Sequence, residues 1–221
     1  MWQKMDPRGF RVWVTQNRPA EWFATSINQW AKFFLEDIAV RDLIESFYYR
    51  SAISKVFIRK TDSEWEVIVY TAKPAAILWK DWATLAKFEK LLLKKCWKPL
   101  KVTVKDLKVP ELSAKIMAEF ACQQLENRMS YRRVAKSVLQ KVMEKWAIWV
   151  KVQVAWRLWG ADMSRNEKFS EWRIPLQTLR ADIDYHYTTA KTKYGVLWVK
   201  VRICKSENLY AKKSNSAIDK I

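Results

Sequence analysis

Apolar and polar residues alternate along the first half of the chain with two different periods, which predict helices and strands in turn. The stretch "AKFFLEDIAVRDLIESFYYR" is helical in its spacing, and "ISKVFIRK" and "WEVIVYTA" alternate as two short strands do. The apolar residues that carry the helical spacing are Phe34, Ile38, Leu43 and Phe47. A short helix, a turn and a longer helix follow in "PAAILWKDWATLAKFEKLLLKK", and "LKVTVKDL" is a third strand. This order predicts a compact α+β domain that ends near Val109 and Pro110, where proline suits a linker.

The second half of the chain predicts two helices followed by strands. The first helix, "ELSAKIMAEFACQQLENR", is amphipathic with its inward residues at Ile116, Phe120 and Leu125. The second, "MSYRRVAKSVLQKVMEK", begins after a good N-cap residue, Ser130. Its apolar stripe is Val134, Val138 and Val142. Strand-like segments follow at "WVKVQVAWRL", "WRIPLQ", "RADIDYHYTTA" and "VLWVKVRICK".

The charge of the chain indicates a polyanionic partner. Its 221 residues carry 41 Lys and Arg against 23 Asp and Glu, which gives a net charge of +18. Nucleic acid is the first expectation and an anionic membrane surface the second. The sequence has no apolar run of about 18 residues and no secretory signal pattern, so we expect a cytoplasmic protein. Cys96, Cys122 and Cys204 lack the spacing of a zinc or redox motif, and we expect reduced thiols with packing roles.

Glycine and tryptophan occur in unusual proportions. There are 3 Gly and 14 Trp, whereas about 7% of residues are glycine in an average chain. Several tryptophans lie where turn chemistry is expected: Trp97 lies between a helix and a strand, and Trp146 follows the helix that ends "VMEK". Glycine is normally preferred at such helix ends because it adopts the left-handed backbone conformation without strain.

Seven segments, in the same order, resemble the bacterial small-subunit ribosomal protein S-three family. They are "MWQKMDPRGFRV", "FFLEDI", "YTAKPAAILWKDW", "QLENRMSYRRVAK", "VKVQVAWRLWGADMSR", "PLQTLRADIDY" and "KYGVLWVKV". The resemblance covers residues 1 to about 205. It implies two domains of the α+β class. The first is a type II KH RNA-binding domain (38–109), and the second is an α+β domain with two helices against a mixed or antiparallel sheet (110–207). An N-terminal segment (1–37) precedes them and a basic tail (208–221) follows.

The resemblance implies a structural component of the small ribosomal subunit. Such a protein binds ribosomal RNA in the subunit head and contacts messenger RNA at the entry channel, with head proteins of the S-ten and S-fourteen families as neighbours. A free-standing KH-type regulator that binds single-stranded RNA is the alternative, although it would need only the first half. A Trp-rich cationic membrane binder fits the raw composition but not the placement of tryptophan, which follows turns and not one helical face.

The chain departs from the family pattern by carrying tryptophan where the family has glycine. The eleven positions are Trp2, Trp13, Trp79, Trp82, Trp97, Trp146, Trp149, Trp156, Trp159, Trp172 and Trp198. A side chain at a left-handed position costs roughly 1–2 kcal/mol, and a domain is stable by only about 5–15 kcal/mol. We therefore hypothesise that these residues are glycine in the living protein, encoded by UGA codons that the organism reads as glycine. Genuine tryptophans that form aromatic patches are the alternative.

The loop "LWKDW" is the first candidate site. Trp79, Lys80, Asp81 and Trp82 resemble the GXXG loop of a KH domain, in which two glycines let the backbone approach a nucleotide chain. With glycine at both ends, Lys80 is available to a phosphate, while Asp81 is an unfavourable charge beside RNA. A simple turn between two helices is the alternative interpretation.

A basic helix gives the second candidate site. Arg132, Arg133 and Lys136 lie within about one turn and can form one cationic patch once the valine stripe is buried. A solvated helix face is the alternative, but the resemblance implies that these residues line the messenger RNA entry channel. For Tyr131, beside the patch, we expect core packing.

Further cations are candidates for phosphate contacts with ribosomal RNA: Arg157, Arg165, Arg173 and Arg180. Any of them could instead pair with an acid such as Asp162, Asp182 or Asp184. Catalysis finds no support, because the single histidine, His186, has no nucleophile or metal-ligand spacing around it. We expect no cofactor, no metal and no membrane partner.

Overall fold

The computed structural model describes residues 4–12, 14–48, 51–61, 65–78, 91, 100–172 and 175–206. The chain forms two compact units. One is Arg18–Pro110, and the other combines Met1–Asn17 with Glu111–Ile221. The boundaries given above for a KH domain and the segments around it stay predictions.

The unit Arg18–Pro110 contains a mixed four-stranded sheet. Its strands, in spatial order, are β1 (Ala20–Glu21), β2 (Ile53–Lys60), β3 (Trp65–Thr71) and β4 (Leu100–Asp106). β2 is antiparallel to β3, whereas β1 pairs parallel with β2 and β4 pairs parallel with β3. The three strands that the alternation of apolar residues predicts are confirmed to within one residue at each end.

A long helix, α2 (Ile27–Phe47), buries Val40 and Ile44 in the core of this unit. Helix α3 (Pro74–Leu78) is short, and α1 (Pro7–Phe10) belongs to the other unit. The helix around 31–50 is confirmed, but its apolar spacing indicates the wrong face. Large side chains from that spacing are exposed to solvent: Phe34, Ile38 and Phe47. Apolar residues surround this helix, so periodicity alone does not select the buried side.

The buried face of α2 also carries a charge, Asp37, which is paired with Lys60 of β2. The two side chains are 7% and 2% exposed, and Lys60 Nζ lies 2.7 Å from Asp37 Oδ1 as an ion pair. Lys60 Nζ also donates a hydrogen bond of 2.7 Å to the Phe33 carbonyl oxygen, and Trp22 Nε1 donates one of 2.8 Å to Asp37 Oδ2. The pair therefore fixes the contact between helix and sheet.

The other unit contains two helices and an antiparallel sheet. Helices α4 (Ala114–Glu126) and α5 (Tyr131–Glu144) are joined by a short connection, and both predicted helices are confirmed. Helix α4 contacts β7 and β8, and α5 contacts β5 and β6. The four strands, in sequence order, are β5 (Trp149–Trp156), β6 (Arg165–Glu171), β7 (Asp182–Thr192) and β8 (Gly195–Ser206). Their spatial order is β6-β5-β8-β7, and every pair is antiparallel.

Of the strand predicted at 172–177, the structure describes residues 172 and 175–177, which form a bend and a turn and no strand. The strand of this region is β6, which begins seven residues earlier. Pro175 cannot donate a hydrogen bond to a neighbouring strand, and its carbonyl oxygen accepts one from Thr178 N at 3.2 Å, as in a turn. The segment "RNEKFSE" forms β6 at an edge of the sheet, where water replaces one neighbour. Its polar composition therefore conceals a strand.

The core of this unit lies between the helices and one face of the sheet. The valine stripe Val134, Val138 and Val142 is fully buried, as predicted. On α4 the prediction was right for Leu125, but Ile116 and Phe120 are only half-buried. Small residues such as Ala118 and Ala121 form the buried stripe instead, because they let the helix lie close to the sheet.

Residues 4–17 join this unit through a buried arginine. Arg11 follows α1, is completely buried, and donates hydrogen bonds to four carbonyl oxygens. The acceptors are Pro7, Leu176, Thr178 and Ala181. Burial lowers the pKa of Arg11 from its ordinary value. The side chain thereby fixes the turn that precedes β7 against the N-terminal segment.

Among the residues that the structure describes, four tryptophans have the backbone conformation that favours glycine. The φ angles are 61° at Trp146, 106° at Trp156, 61° at Trp159 and 62° at Trp172. Trp146 follows α5 directly, as the helix-end pattern predicts, and its side chain is 91% exposed. Trp149, by contrast, is buried in β5.

In the part of the chain that the structure describes, the helices are too short or too polar to span a bilayer.

Candidate nucleic-acid interface

The first turn of α5 positions the predicted basic patch. Ser130 is the N-cap, and its Oγ accepts a hydrogen bond of 3.3 Å from Arg133 N. Because the valine stripe faces the sheet, Arg132, Arg133 and Lys136 lie on the exposed side of the helix. The three cations line one groove of about 520 Å³, so the structure brings together what the sequence predicts.

Tyr131 and Glu167 hold Arg132 in place. Tyr131 is buried, as expected, and its hydroxyl donates a hydrogen bond of 2.8 Å to Glu167 Oε1 on β6. Arg132 Nε donates to the Tyr131 hydroxyl at 3.2 Å and lies 3.7 Å from Glu167 Oε2. The hydrogen bond to Tyr131, followed by the charge of Glu167, raises the pKa of Arg132. The guanidinium remains 68% exposed and can still contact an anion.

Neither Arg133 nor Lys136 forms an ion pair with any residue that the structure describes. Both side chains are therefore available to an anionic partner. The groove continues between α5 and β6 into a second hollow of about 860 Å³, where Lys136 faces Lys168 and Phe169. Phe169 lines both hollows. An open groove with several cations and one aromatic ring suits a phosphate backbone.

Sequence reasoning missed Glu167, Lys168 and Phe169 because it missed β6. Alternate residues of this strand, Glu167 and Phe169, are half-buried, and their neighbours are exposed. That alternation, with a single aromatic residue in a polar run, was the available signal.

The arginines predicted to contact ribosomal RNA do not form one cluster. Arg165 begins β6 opposite Trp156, so Arg157 and Arg165 lie at one end of the sheet. Arg180 is exposed just before β7, at the opposite end. Arg157 is paired with an acid, since its Nη2 lies 3.7 Å from Asp162 Oδ1. Arg173 lies outside the described residues.

The KH-like loop of Trp79, Lys80, Asp81 and Trp82 also lies outside the described residues. The same is true of Cys96. Cys122 and Cys204 are buried thiols that form no disulfide with a described residue, as expected of packing cysteines. Among the described residues, no group of three His, Cys, Asp or Glu side chains could hold a metal ion.

A basic helix face on a helix-and-sheet unit, in a chain of charge +18, defines an RNA-binding protein of the α+β class. Residues 121–203 match the family model for the C-terminal domain of ribosomal protein S3. The chain is 41% identical to the small ribosomal subunit protein uS3 of Ligilactobacillus salivarius over 216 residues, which is 98% of each chain. The uS3 of Bacillus cytotoxicus is 40% identical over 98% of each chain, and that of Desulforudis audaxviator is 36% identical over 95% of each.

The chain therefore belongs to the ribosomal protein S3 (uS3) family. The members of this family are structural, RNA-binding proteins of the ribosome and not enzymes. This membership confirms the family resemblance of the seven segments.

Proposed function

We propose that this protein is a structural component of the small ribosomal subunit that binds ribosomal RNA in the subunit head and contacts messenger RNA at the entry channel. The groove formed by Arg132, Arg133 and Lys136 carries the proposal. Cations on one rigid helix face can contact successive phosphates of an incoming strand without reading its sequence. This arrangement suits a site through which every messenger passes.

The partners follow from that location. They are small-subunit ribosomal RNA, messenger RNA and neighbouring head proteins of the S-ten and S-fourteen families, in the cytoplasm. Arg157, Arg165 and Arg180 lie at two ends of the sheet, which suits contacts with separate RNA segments better than one binding site. Arg173 completes the proposed set.

The unit Arg18–Pro110 is proposed to be a type II KH domain, with Trp79, Lys80, Asp81 and Trp82 as its nucleotide-binding loop. The parallel pairing of β3 with β4 supports this, because parallel neighbours require a long crossover connection, and the stretch between the two strands is long enough for the helix, loop and helix that the sequence predicts.

The eleven tryptophans at family glycine positions are proposed to be glycine in the living protein. Support comes from Trp146, Trp156, Trp159 and Trp172, whose φ angles lie between 61° and 106°. At roughly 1–2 kcal/mol each, four such side chains would remove much of a domain's stability of about 5–15 kcal/mol. Trp149 and Trp198 lie in strands without such an angle, so glycine at those two positions rests on the family resemblance alone.

The gene and the intact mass of the natural protein test the proposal that these tryptophans are glycine. UGA codons and a mass below 26.4 kDa are expected, whereas UGG codons would refute it.

The entry-channel proposal is tested with small subunits that carry Arg132→Ala, Arg133→Ala and Lys136→Ala together. We expect slower translation of a messenger with a stable hairpin downstream of the start codon and normal translation of an unstructured one. Lys145→Ala removes an exposed cation at the other end of α5 and is the matched control. A variant that fails to assemble into subunits, or that translates both messengers normally, would contradict the proposal.

A further inference from the structure

A separate cleft, distinct from the two hollows of the basic groove, is bordered by Tyr131 at the start of α5, and its lining residues do not include Arg132, Arg133 or Lys136. It is an open hollow of about 470 Å³, within the roughly 300–1,000 Å³ range of small-ligand sites. The end of α4, the residues after β5 and the turn between β7 and β8 form its walls. All of its lining residues are described, and all belong to the same unit.

The walls of this cleft are cationic. Arg128, Arg157, Lys191 and Lys193 line it, and Glu126 is the one acid among its lining residues, all of which the structure describes. Glu126 is already engaged, because its Oε1 accepts a hydrogen bond of 3.0 Å from Lys191 N. Arg157 is paired with Asp162, so Arg128, Lys191 and Lys193 supply the excess of positive charge, which favours an anionic ligand.

An aromatic ring stands at the mouth of the cleft. Tyr194 lies in the tight turn that joins β7 to β8, where Thr192 Oγ1 donates a hydrogen bond of 2.7 Å to the Gly195 carbonyl oxygen. Its ring packs on Gly160 so closely that a Cβ there would lie 3.0 Å from it. The ring is thus held on one side and remains 65% exposed, as a stacking surface requires. Trp159 also borders the cleft, so its indole forms part of the wall that encloses the quoted volume. Glycine, as proposed at this position, would open that wall and leave Arg128, Tyr194 and the neighbouring lysines in place.

Arg128 occupies a backbone position that disfavours it. Arg128 N donates to the Leu125 carbonyl oxygen at 3.0 Å and Met129 N to that of Gln124 at 3.1 Å, which is the Schellman ending of α4. Arg128 holds the left-handed position of this motif, with φ 62°, where glycine is the residue of choice. The strained backbone at Arg128 is compatible with a role for its side chain in the cleft that it lines.

We propose that this cleft binds a nucleotide of single-stranded RNA, whose base stacks on Tyr194 and whose phosphates contact Arg128 and the neighbouring cations. Aromatic stacking with nearby cations is the chemistry of sequence-tolerant RNA binding. The site is additional to the groove of Arg132, Arg133 and Lys136. It rests on the proposed function only in taking RNA as the anionic ligand.

Binding of the full chain to a fluorescein-labelled oligouridylate of about ten nucleotides tests the proposal by fluorescence anisotropy. Tyr194→Ala is expected to weaken binding about fivefold or more, whereas Tyr194→Phe, which keeps the ring, binds as the parent does. Equal affinity of Tyr194→Ala and the parent chain would overturn the proposal.

Arg128→Gly separates binding from stability. Glycine relieves the backbone, so the thermal midpoint is expected to stay the same or rise while the affinity falls a few-fold and the salt slope decreases by about 0.7. Lys145→Ala is the charge-matched control and should change neither. Unchanged affinity in Arg128→Gly would count against the cleft.

Tyr194→Ala is also made in the variant in which Arg132, Arg133 and Lys136 are alanine. This comparison distinguishes the cleft from the proposed entry-channel patch. An equal fold-loss of affinity in both backgrounds supports the cleft as a site of its own, and it does so even if the patch contributes nothing to binding. Loss of the Tyr194→Ala effect in the patch variant would show that the cleft is not a site of its own.

Discussion

Single residues in this protein are constrained mainly by backbone conformation. The same residue type, tryptophan, occurs at left-handed positions such as Trp146 and in the extended, buried backbone of Trp149. An exposed indole with φ 61° adds strain and little burial, whereas a buried indole in a strand adds burial without that strain. Substitution by glycine should therefore have opposite effects at the two sites.

In the chain with the printed sequence, Trp146→Gly is expected to raise the free energy of unfolding by about 1 kcal/mol, because glycine removes the left-handed strain. Trp149→Gly should lower it by about 3 kcal/mol or more, because it leaves a cavity beside Ile183 and Cys204. Urea unfolding followed by circular dichroism measures both. A stability loss at Trp146 equal to that at Trp149 would contradict the steric explanation.

Burial raises the pKa of the Cys122 thiol from 9.0 to about 12. The folded protein therefore keeps the proton while the unfolded chain loses it, so stability falls as the pH rises between these two values. Relative to Cys122→Ala, the parent should lose about 1 kcal/mol of unfolding free energy between pH 8 and pH 10. Urea unfolding of both proteins at the two pH values measures the difference. An equal change in the free energy of unfolding for the parent and Cys122→Ala would show that the thiol ionises in the folded state.

At the scale of elements, the helices and most strands follow from periodicity, but their contacts do not. The spacing of Phe34 and Ile38 predicts α2 correctly and selects the wrong face, because the true face contains a charged residue. Asp37 is buried only because β2 presents Lys60 to it, and the two residues are far apart in sequence. Similarly, the edge strand β6 is too polar to predict, although its residues complete the basic groove.

The Asp37–Lys60 pair should behave as a buried ion pair. Asp37→Leu is expected to cost about 3 kcal/mol, because it leaves the Lys60 ammonium buried without its nearest carboxylate. The double change Asp37→Leu with Lys60→Met should cost clearly less than the two single changes added together. Denaturant unfolding of the four proteins gives the coupling free energy.

The exposed pair Arg59–Glu21 is the matched control, since Arg59 Nε lies 3.0 Å from Glu21 Oε2 with both side chains about half exposed. Arg59→Ala should cost less than about 1 kcal/mol. Additive effects at Asp37 and Lys60 would mean that the buried pair contributes no coupling.

At the scale of the whole molecule, charge decides what the fold can bind. The net charge of +18 predicts affinity for RNA that falls steeply with salt. The fold concentrates part of that charge on one side of α5, because the valine stripe occupies the other side. Composition thus predicts the class of partner, and packing decides where the partner binds.

The logarithm of RNA affinity should fall linearly with the logarithm of salt concentration. Removal of Arg132, Arg133 and Lys136 should reduce the slope by about two, at about 0.7 for each phosphate contact with a single strand. Fluorescence anisotropy at several potassium chloride concentrations measures both slopes. Equal slopes for the parent and the triple variant would place the phosphate contacts elsewhere.

Sequence patterns suffice for the family, the α+β class, both helices of the S3 C-terminal domain and the three cations of the groove. Periodicity, capping and charge spacing act over a few residues, so they can be read without a structure. The fold is needed to find that Glu167 orients Arg132, that α2 buries a carboxylate, and that Arg128, Arg157 and Tyr194 meet around one cleft. Those arrangements depend on contacts between residues distant in the chain, which strand order and helix packing create and no local pattern records.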